Sequence, residues 1–269
     1  MESLKIKVAV TGASGKMGCA IIKGLSQVAD IEIVGAIDIQ NIGKDAGELA
    51  GISFLGVQIS DNIEQVIDEM KPDVVIDFTH KKAAQQNIPL VLKKGVAVVA
   101  GTTGLEETDL VEFDRLAKEH NTSMFLAPNF SLGAVIMMKF AREAGKYFDQ
   151  SEIIEYHNDK KVDSPSGTAI ATARNITNDY STPEVKEENT VADYCRGGDF
   201  GGIRIHSVRL KSLVAHQEVL FAGTGELLTI RHDSYSRESF IPGILMAVRK
   251  VQMWQGLKVG LEEILNLDN

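Results

Sequence analysis

A six-residue apolar run, Ile6–Thr11, breaks directly into Gly12-Ala13-Ser14-Gly15-Lys16-Met17-Gly18, and this junction constrains the fold of the chain more than any other feature. So short and continuous an apolar run predicts a strand buried on both faces. Beyond Gly15, the residues Met17, Ile21, Gly24 or Leu25, and Val28 recur at spacings of three and four, which predicts a helix with one apolar stripe. Strand, glycine turn and helix N-terminus together point backbone N–H groups at an anion. Gly12 permits the tight turn, Gly15 removes a side chain where backbone must approach a phosphate, and Gly18 lets the helix lie close to the strand. The spacing G-x-x-G-x-x-G is a variant of the dinucleotide fingerprint. Asp38 ends the next predicted strand, 20 residues beyond Gly18, where a carboxylate can accept hydrogen bonds from ribose hydroxyls. A Walker A loop is disfavoured, because Met17 stands where a magnesium-binding Ser or Thr is required and the glycine spacing before Lys16 is wrong.

The same alternation continues. Strands are predicted over 32–38, 74–79, 97–101 and 123–127, with helices over 81–94 and 106–120. Residues 43–60, rich in glycine and small side chains, show weak periodicity and read as a connection. In a doubly wound sheet the ligand lies beyond the carboxyl ends of the strands. This makes Phe78 and Thr79, Gly101, Thr102 and Thr103, and Ala127, Pro128, Asn129 and Phe130 the candidates to line a nicotinamide site. After Asn129 the pattern changes to a helix over 133–147, a strand over 152–157, a helix opening at Ser166 and a polar connection over 181–202. Strands over 203–210, 215–222 and 227–233 follow, the last two joined by Gly223-Thr224-Gly225 as a hairpin. Helical patterns over 238–255 and 259–265 close the chain. The expected architecture is an α/β Rossmann-like parallel-sheet dinucleotide-binding domain, residues 1–129 and 241–269. Inserted in it, over 130–240, is an α+β domain with a mostly antiparallel sheet.

Composition narrows the function. With 37 Asp and Glu against 28 Lys and Arg the net charge is −9, which disfavours nucleic acid and anionic membranes as partners. No apolar stretch approaches the roughly 20 residues of a membrane-spanning helix. The opening residues lack the basic and apolar segments of a secretory leader. Two cysteines, Cys19 and Cys195, make no disulfide framework, so a reducing cytoplasm is the expected location. Asp38 also bears on the nucleotide: a carboxylate about 4 Å from a 2'-phosphate is repelled by about 4 kcal/mol per charge pair at an effective dielectric near 20. The residues after it, Ile39, Gln40 and Asn41, offer no arginine. The expected cofactor is NADH and/or NADPH, with NADH used at least as well.

The densest chemistry lies between Glu152 and Ala169. On a strand, Glu155 and His157 face the same side about 7 Å apart, which permits a proton-transfer pair. Ser166, Gly167 and Thr168 open a helix whose N–H groups and hydroxyl form an anion site suited to a carboxylate. Lys161 lies between, able to neutralise a substrate charge or donate a proton.

This segment, E-I-I-E-x-H followed by K-x-D-x-P-S-G-T-A, resembles the signature of the dihydrodipicolinate reductase family. The similarity extends over nearly the whole chain, including the glycine loop, Asp77-Phe78-Thr79, Gly101-Thr102-Thr103-Gly104, Asn129-Phe130-Ser131 and the closing helix. The resemblance implies NAD(P)H-dependent reduction of a cyclic imine dicarboxylate to tetrahydrodipicolinate in lysine biosynthesis through diaminopimelate, by a cytoplasmic homotetramer. It implies acid–base or proton-donor roles for His157 and Lys161. It also implies that Asn158, Lys161, Ser166, Gly167 and Thr168 bind substrate in a domain for substrate binding and oligomerisation. Asn158 replaces a second histidine found in many members, and residues 211–217 depart from the Gly-Asp and Gly-Glu-His pattern of some.

The remaining histidines, His80, His120, His206, His216 and His232, lack metal-ligand spacing, so no metal is expected. Ser164 and Ser166 make no G-x-S-x-G elbow, which disfavours a serine hydrolase. Two rival functions are a dehydrogenase of another small acid or semialdehyde and a non-catalytic NAD-sensing regulator. The first would lack the long signature, and the second would lack His157 and Lys161.

Overall fold

The computed structural model describes residues 5–177 and 195–265. The chain divides into two compact units, one running to Ser131 and resuming at Arg237, the other spanning Leu132–Ser236. The first unit alternates strand and helix: β1 (Ile6–Thr11), α1 (Lys16–Leu25), β2 (Ile31–Ile37), α2 (Ala46–Leu49), β3 (Ile59–Ser60), α3 (Ile63–Met70), β4 (Val74–Asp77), α4 (Lys81–Lys93), β5 (Ala97–Ala100), α5 (Glu107–Glu119) and β6 (Ser123–Leu126). The second unit contains α6 (Leu132–Ala144), β7 (Gln150–His157), α7 (Gly167–Thr177), β8 (Gly198–Phe200), β9 (Ile203–Arg209), β10 (Ala215–Gly223) and β11 (Glu226–Ser234). The chain then re-enters the first unit with α8 (Ile241–Lys250), β12 (Gly256–Val259) and α9 (Glu262–Leu265).

The first unit is a seven-stranded parallel sheet in the order β12-β6-β5-β4-β1-β2-β3. Its strands are buried on both faces, as their uninterrupted apolar runs require: Val8, Ala9 and Val10 in β1 and Val98, Val99 and Ala100 in β5 are wholly inaccessible. The strand order reverses between β1 and β4, so the crevice at their carboxyl ends is the topological switch point. The expected Rossmann-like sheet is therefore present.

Several local elements differ from expectation. Helix α3 was not anticipated, although Asn62 Oδ1 accepts from Gln65 N at 3.0 Å and Ile63, Val66 and Ile67 bury one face. The connection over 43–60 contains the short α2 and β3, organised by the buried Asp45. Its carboxylate accepts from the N–H groups of Gly47, Glu48, Leu55, Gly56 and Val57 at 2.8–3.1 Å. At the end of the chain, the helical pattern over 238–255 is a short 3₁₀ turn, α8 and a second 3₁₀ turn. Gly256, at φ +82°, then ends it and starts strand β12. The helix expected over 259–265 is shortened to α9, with Val259 in the strand.

The second unit is a five-stranded sheet in the order β11-β10-β7-β9-β8. It is antiparallel except for the β7–β9 pair, as a mostly antiparallel sheet was expected to be. One face carries Ile153, Ile205, Val219 and Phe221, which pack with Met137 and Ala141 of α6 and Ala169, Ala173 and Ile176 of α7. The β10–β11 hairpin closes on Thr224-Gly225, with Gly225 at φ +79°. Of the polar connection expected over 181–202, residues 181–194 lie outside the described residues, and Gly198–Phe200 is strand β8. Among the described residues no helix is long and apolar enough to cross a membrane.

Candidate active site

The glycine loop is shaped by backbone contact. A Cβ on Gly12, whose φ is +77°, would lie 2.6 Å from Phe78 O, and one on Gly18 would lie 2.1 Å from Gly12 O. Gly18 therefore packs against the loop's own first turn, where β1 ends. Helix α1 begins at Lys16 with Gly15 as its N-cap and no side-chain acceptor. By contrast, α2, α3 and α4 are capped by Asp45, Asn62 and His80, and α5 is closed by Asp109, which accepts from Glu106 N at 2.8 Å. The first-turn amides of α1 are thus left to an exogenous acceptor, and the cradle fits a dinucleotide pyrophosphate.

Asp38 follows β2 at the loop. Its carboxylate accepts from Ser14 N and Gln40 N, both at 2.9 Å, while Ser14 Oγ donates to Gln40 O at 3.0 Å. The two turns are tied together, with Lys16 exposed and Met17 half-buried beside them. Beneath lies a group that sequence reasoning did not assign. Asp77, 1% exposed at the end of β4, accepts from Thr11 Oγ1 at 2.7 Å, Thr79 Oγ1 at 2.9 Å and Thr102 Oγ1 at 2.6 Å. It joins the ends of β1, β4 and β5. Thr79 and Thr102 therefore turn their hydroxyls to Asp77.

The other strand-end candidates divide by burial. Ala127 and Phe130 are buried, Phe130 packing on Phe78 and Phe125 with ring centroids 5.5 and 6.0 Å apart. Phe78 in turn covers Gly101, where a Cβ would meet its ring at 2.2 Å. Thr103 and Pro128 are exposed, and Asn129 Oδ1 accepts from Ser131 N at 2.9 Å.

In the second unit, β7 brings Glu155 and His157 to one face, and their side chains meet at 2.5 Å between Oε2 and Nδ1. Glu155 is wholly buried and sits in a fork from Arg209, whose Nη1 and Nη2 donate at 2.8 and 2.7 Å. Burial pushes the Glu155 carboxyl up, but hydrogen bonds from His157, Arg209 and Ser207 outweigh it and hold the group down at about 2. Arg209 was not singled out from the sequence. Its register opposite His157 in the parallel β7–β9 pair was the missing information.

The loop from β7 to α7 carries the remaining candidates. Asn158 Oδ1 accepts from Lys160 N at 3.2 Å, leaving its amide nitrogen as the group able to donate outward. Lys161 Nζ pairs with both oxygens of Asp163 at 2.8 and 2.7 Å, which holds the Asp163 carboxyl low. Ser166 caps α7 through Oγ, accepting from Ala169 N at 3.1 Å, while its own N–H donates to Glu155 Oε1 at 3.2 Å. Gly167 at the helix start is exposed, with open space where a Cβ would stand. The structure therefore joins His157, Lys161 and the Ser166 to Thr168 turn through Glu155, Arg209 and Asp163.

Three of the histidines outside this cluster have structural partners. His80 Nδ1 accepts from Ala83 N, His206 meets Glu152 at 2.8 Å, and His216 meets Asp233 at 2.7 Å. Among the described residues no three His, Cys, Asp or Glu side chains are grouped to hold a metal.

A parallel sheet with a glycine cradle at its switch point, in a chain whose second unit bears a histidine, a lysine and a helix-opening glycine turn, is the arrangement of a nicotinamide-dependent oxidoreductase. Comparison with known proteins is more particular. The family models for the dihydrodipicolinate reductase N-terminus and C-terminus match residues 6–130 and 133–265. The chain belongs to the dihydrodipicolinate reductase family. It is 46% identical over 263 residues to the 4-hydroxy-tetrahydrodipicolinate reductase of Moorella thermoacetica, covering 97% of this chain and 98% of that protein. It is 45% identical over 264 residues to that of Syntrophomonas wolfei, covering 97% and 99%. A dipicolinate-bound dihydrodipicolinate reductase from Paenisporosarcina sp. TG-14 superposes with a TM-score of 0.86 at 39% identity, covering 97% of this chain and all of that one.

Proposed function

We propose that this protein reduces a cyclic imine dicarboxylate, 4-hydroxy-tetrahydrodipicolinate or the dihydrodipicolinate derived from it, to tetrahydrodipicolinate in lysine biosynthesis through diaminopimelate. The observation that carries the proposal is the cluster of Glu155, His157, Lys161 and the Ser166-capped turn, in a chain whose relatives bear that activity in their names. Residues 1–129 and 241–269 bind the dinucleotide, and residues 130–240 bind substrate and mediate assembly into a homotetramer in the cytoplasm.

The roles follow from local chemistry. Gly12, Ala13, Ser14, Gly15, Lys16 and Met17 cradle the pyrophosphate on the start of α1. Asp38 turns toward the ribose. Phe78, Thr79, Gly101, Thr102, Thr103, Ala127, Pro128, Asn129 and Phe130 shape the nicotinamide end. When bound, the reduced nicotinamide supplies the hydride. Gly167 and Thr168 receive one substrate carboxylate at the start of α7, with Asn158 donating to it. Lys161 exchanges its Asp163 partner for the dianion, and His157 or Lys161 delivers the proton to the carbon that gains electron density as hydride arrives.

The test is NADH oxidation coupled to a dihydrodipicolinate synthase that supplies substrate. Turnover is expected, and its absence with nucleotide binding intact would overturn the assignment. Replacing Lys161 with Ala is expected to lower kcat about 100-fold without changing nucleotide affinity, and unchanged turnover would remove it from the mechanism. With Asp38 beside the ribose, NADH is used at least as well as NADPH, and a preference for NADPH of more than about tenfold in steady-state kinetics would contradict this.

A further inference from the structure

We propose that Glu155 and Arg209 are positioning residues for this reduction, fixing His157 in one tautomer and anchoring the Lys161 loop to the same buried carboxylate. The inference rests on the roles given above to His157 and Lys161.

Glu155 and Arg209 come from parallel neighbours, with His157 opposite Arg209 and Glu155 opposite Ser207. Both carboxylate oxygens of Glu155 are engaged. Oε1 accepts from Arg209 Nη2 at 2.7 Å and Ser166 N at 3.2 Å, and Oε2 accepts from Arg209 Nη1 at 2.8 Å and His157 Nδ1 at 2.5 Å. An ionised carboxylate can only accept, so the ring proton resides on Nδ1 and Nε2 is the position at which His157 exchanges a proton with a ligand. The His157 side chain is 16% exposed, so the ring is not sealed from a ligand.

The same pair holds the loop. Arg209 Nη2 also donates to Asp163 O at 2.9 Å, two residues beyond Lys161, while Glu155 receives Ser166 N at the start of α7. Three candidates thus share one anchor: the His157 ring, the turn bearing Lys161, and the α7 N-terminus. Orientation of reacting groups is a large part of such catalysis, so loosening the anchor affects turnover more than nucleotide binding.

Glu155→Gln tests this at nearly constant shape. The amide oxygen takes the Oε1 position, where Arg209 Nη2 and Ser166 N can only donate, so the NH₂ takes the Oε2 position, giving up the Arg209 Nη1 bond and facing His157 Nδ1. That nitrogen then becomes an acceptor and the ring proton moves to Nε2. Long-range ¹H–¹⁵N spectra, recorded where the imidazole is neutral, should show Nδ1–H in the native protein and Nε2–H in the variant. The variant's kcat should fall by about 100-fold, with nucleotide affinity within about threefold of native. Glu155→Gln combined with His157→Gln should be no slower than His157→Gln alone. Arg209→Lys keeps the charge but loses the fork, and should lower kcat by about tenfold with nucleotide affinity unchanged.

An Nε2–H signal in the native protein, or strictly multiplicative losses in the double variant, would overturn the proposal. Should Glu155→Gln fail to fold, the native spectrum and Arg209→Lys still decide it. If His157→Gln alone turned over at the native rate, the role of His157 would fail while the native Nδ1–H signal remained, so the two failures are distinguishable.

Discussion

The helices α1 and α7 both open on glycine-containing turns proposed to hold anions, yet they are built by opposite means. At α1 the cradle is backbone: Gly12, Gly15 and Gly18 are packed against other main-chain atoms, and no side chain caps the helix. At α7 the turn is held by side chains, with Ser166 capping Ala169, Glu155 receiving Ser166, and Arg209 holding Glu155. A site made of backbone depends on the absence of side chains, whereas a site made of side chains depends on a chain of partners. A pyrophosphate fits the first, with its row of unclaimed amides. A single carboxylate fits the second, where Ser166 already occupies the amide of Ala169.

The contrast is most severely tested at Gly18. Replacing it with Ala places Cβ 2.1 Å from a carbonyl oxygen that cannot move without breaking the loop. Destabilisation of about 3 kcal/mol in urea unfolding is expected, with loss of NADH binding. Native stability in this variant would show that the cradle is not set by backbone packing.

Acid should break the other site first. Glu155 has a folded-state value of about 2, below the ordinary 4.5, so its contribution is fully present above about pH 4.5 and is lost as pH falls through about 2. That contribution is on the order of 3 kcal/mol. Removing the carboxylate in Glu155→Gln should flatten stability over this window, measured as Tm against pH. An unchanged slope would deny Glu155 its place in the network.

The smallest effect is expected at Gly167. Its Cβ position is open, so Gly167→Ala should change stability by no more than about 0.5 kcal/mol. The methyl group would nevertheless occupy space proposed for a carboxylate, raising KM for the dicarboxylate and leaving KM for the nucleotide unchanged. A loss of stability like that of Gly18→Ala would erase the distinction between the two turns.

The same division explains what was legible beforehand. Glycine spacing and buried strands are written in consecutive residues, so β1, the loop and α1 could be read directly. The strand carrying Glu155 and His157 and the helix after Ser166 were readable for the same reason. Arg209 was not, because it joins Glu155 only through the register of two strands separated by a helix and a long connection. Asp77 was equally hidden, since its three threonine partners follow or end three different strands. Helix α3 did carry a local signal, Asn62 three residues before Gln65 with Ile63, Val66 and Ile67 on one face. Its shortness and the glycine-rich stretch before it obscured the pattern. Strand β12 was hidden because Gly256–Val259 is short, carries only two apolar side chains and falls where one helical pattern ends and the next begins.

The edge position of β12 has a consequence for synthesis. The sheet of the first unit is closed on the β6 side by a strand that emerges after the whole second unit. During vectorial synthesis the second unit, contiguous from Leu132 to Ser236, has all its strands available while β6 still lacks a neighbour on that side. The nascent chain therefore carries an unfinished parallel edge for the time needed to make the inserted unit, and pulse proteolysis of stalled chains would find the inserted unit protected first.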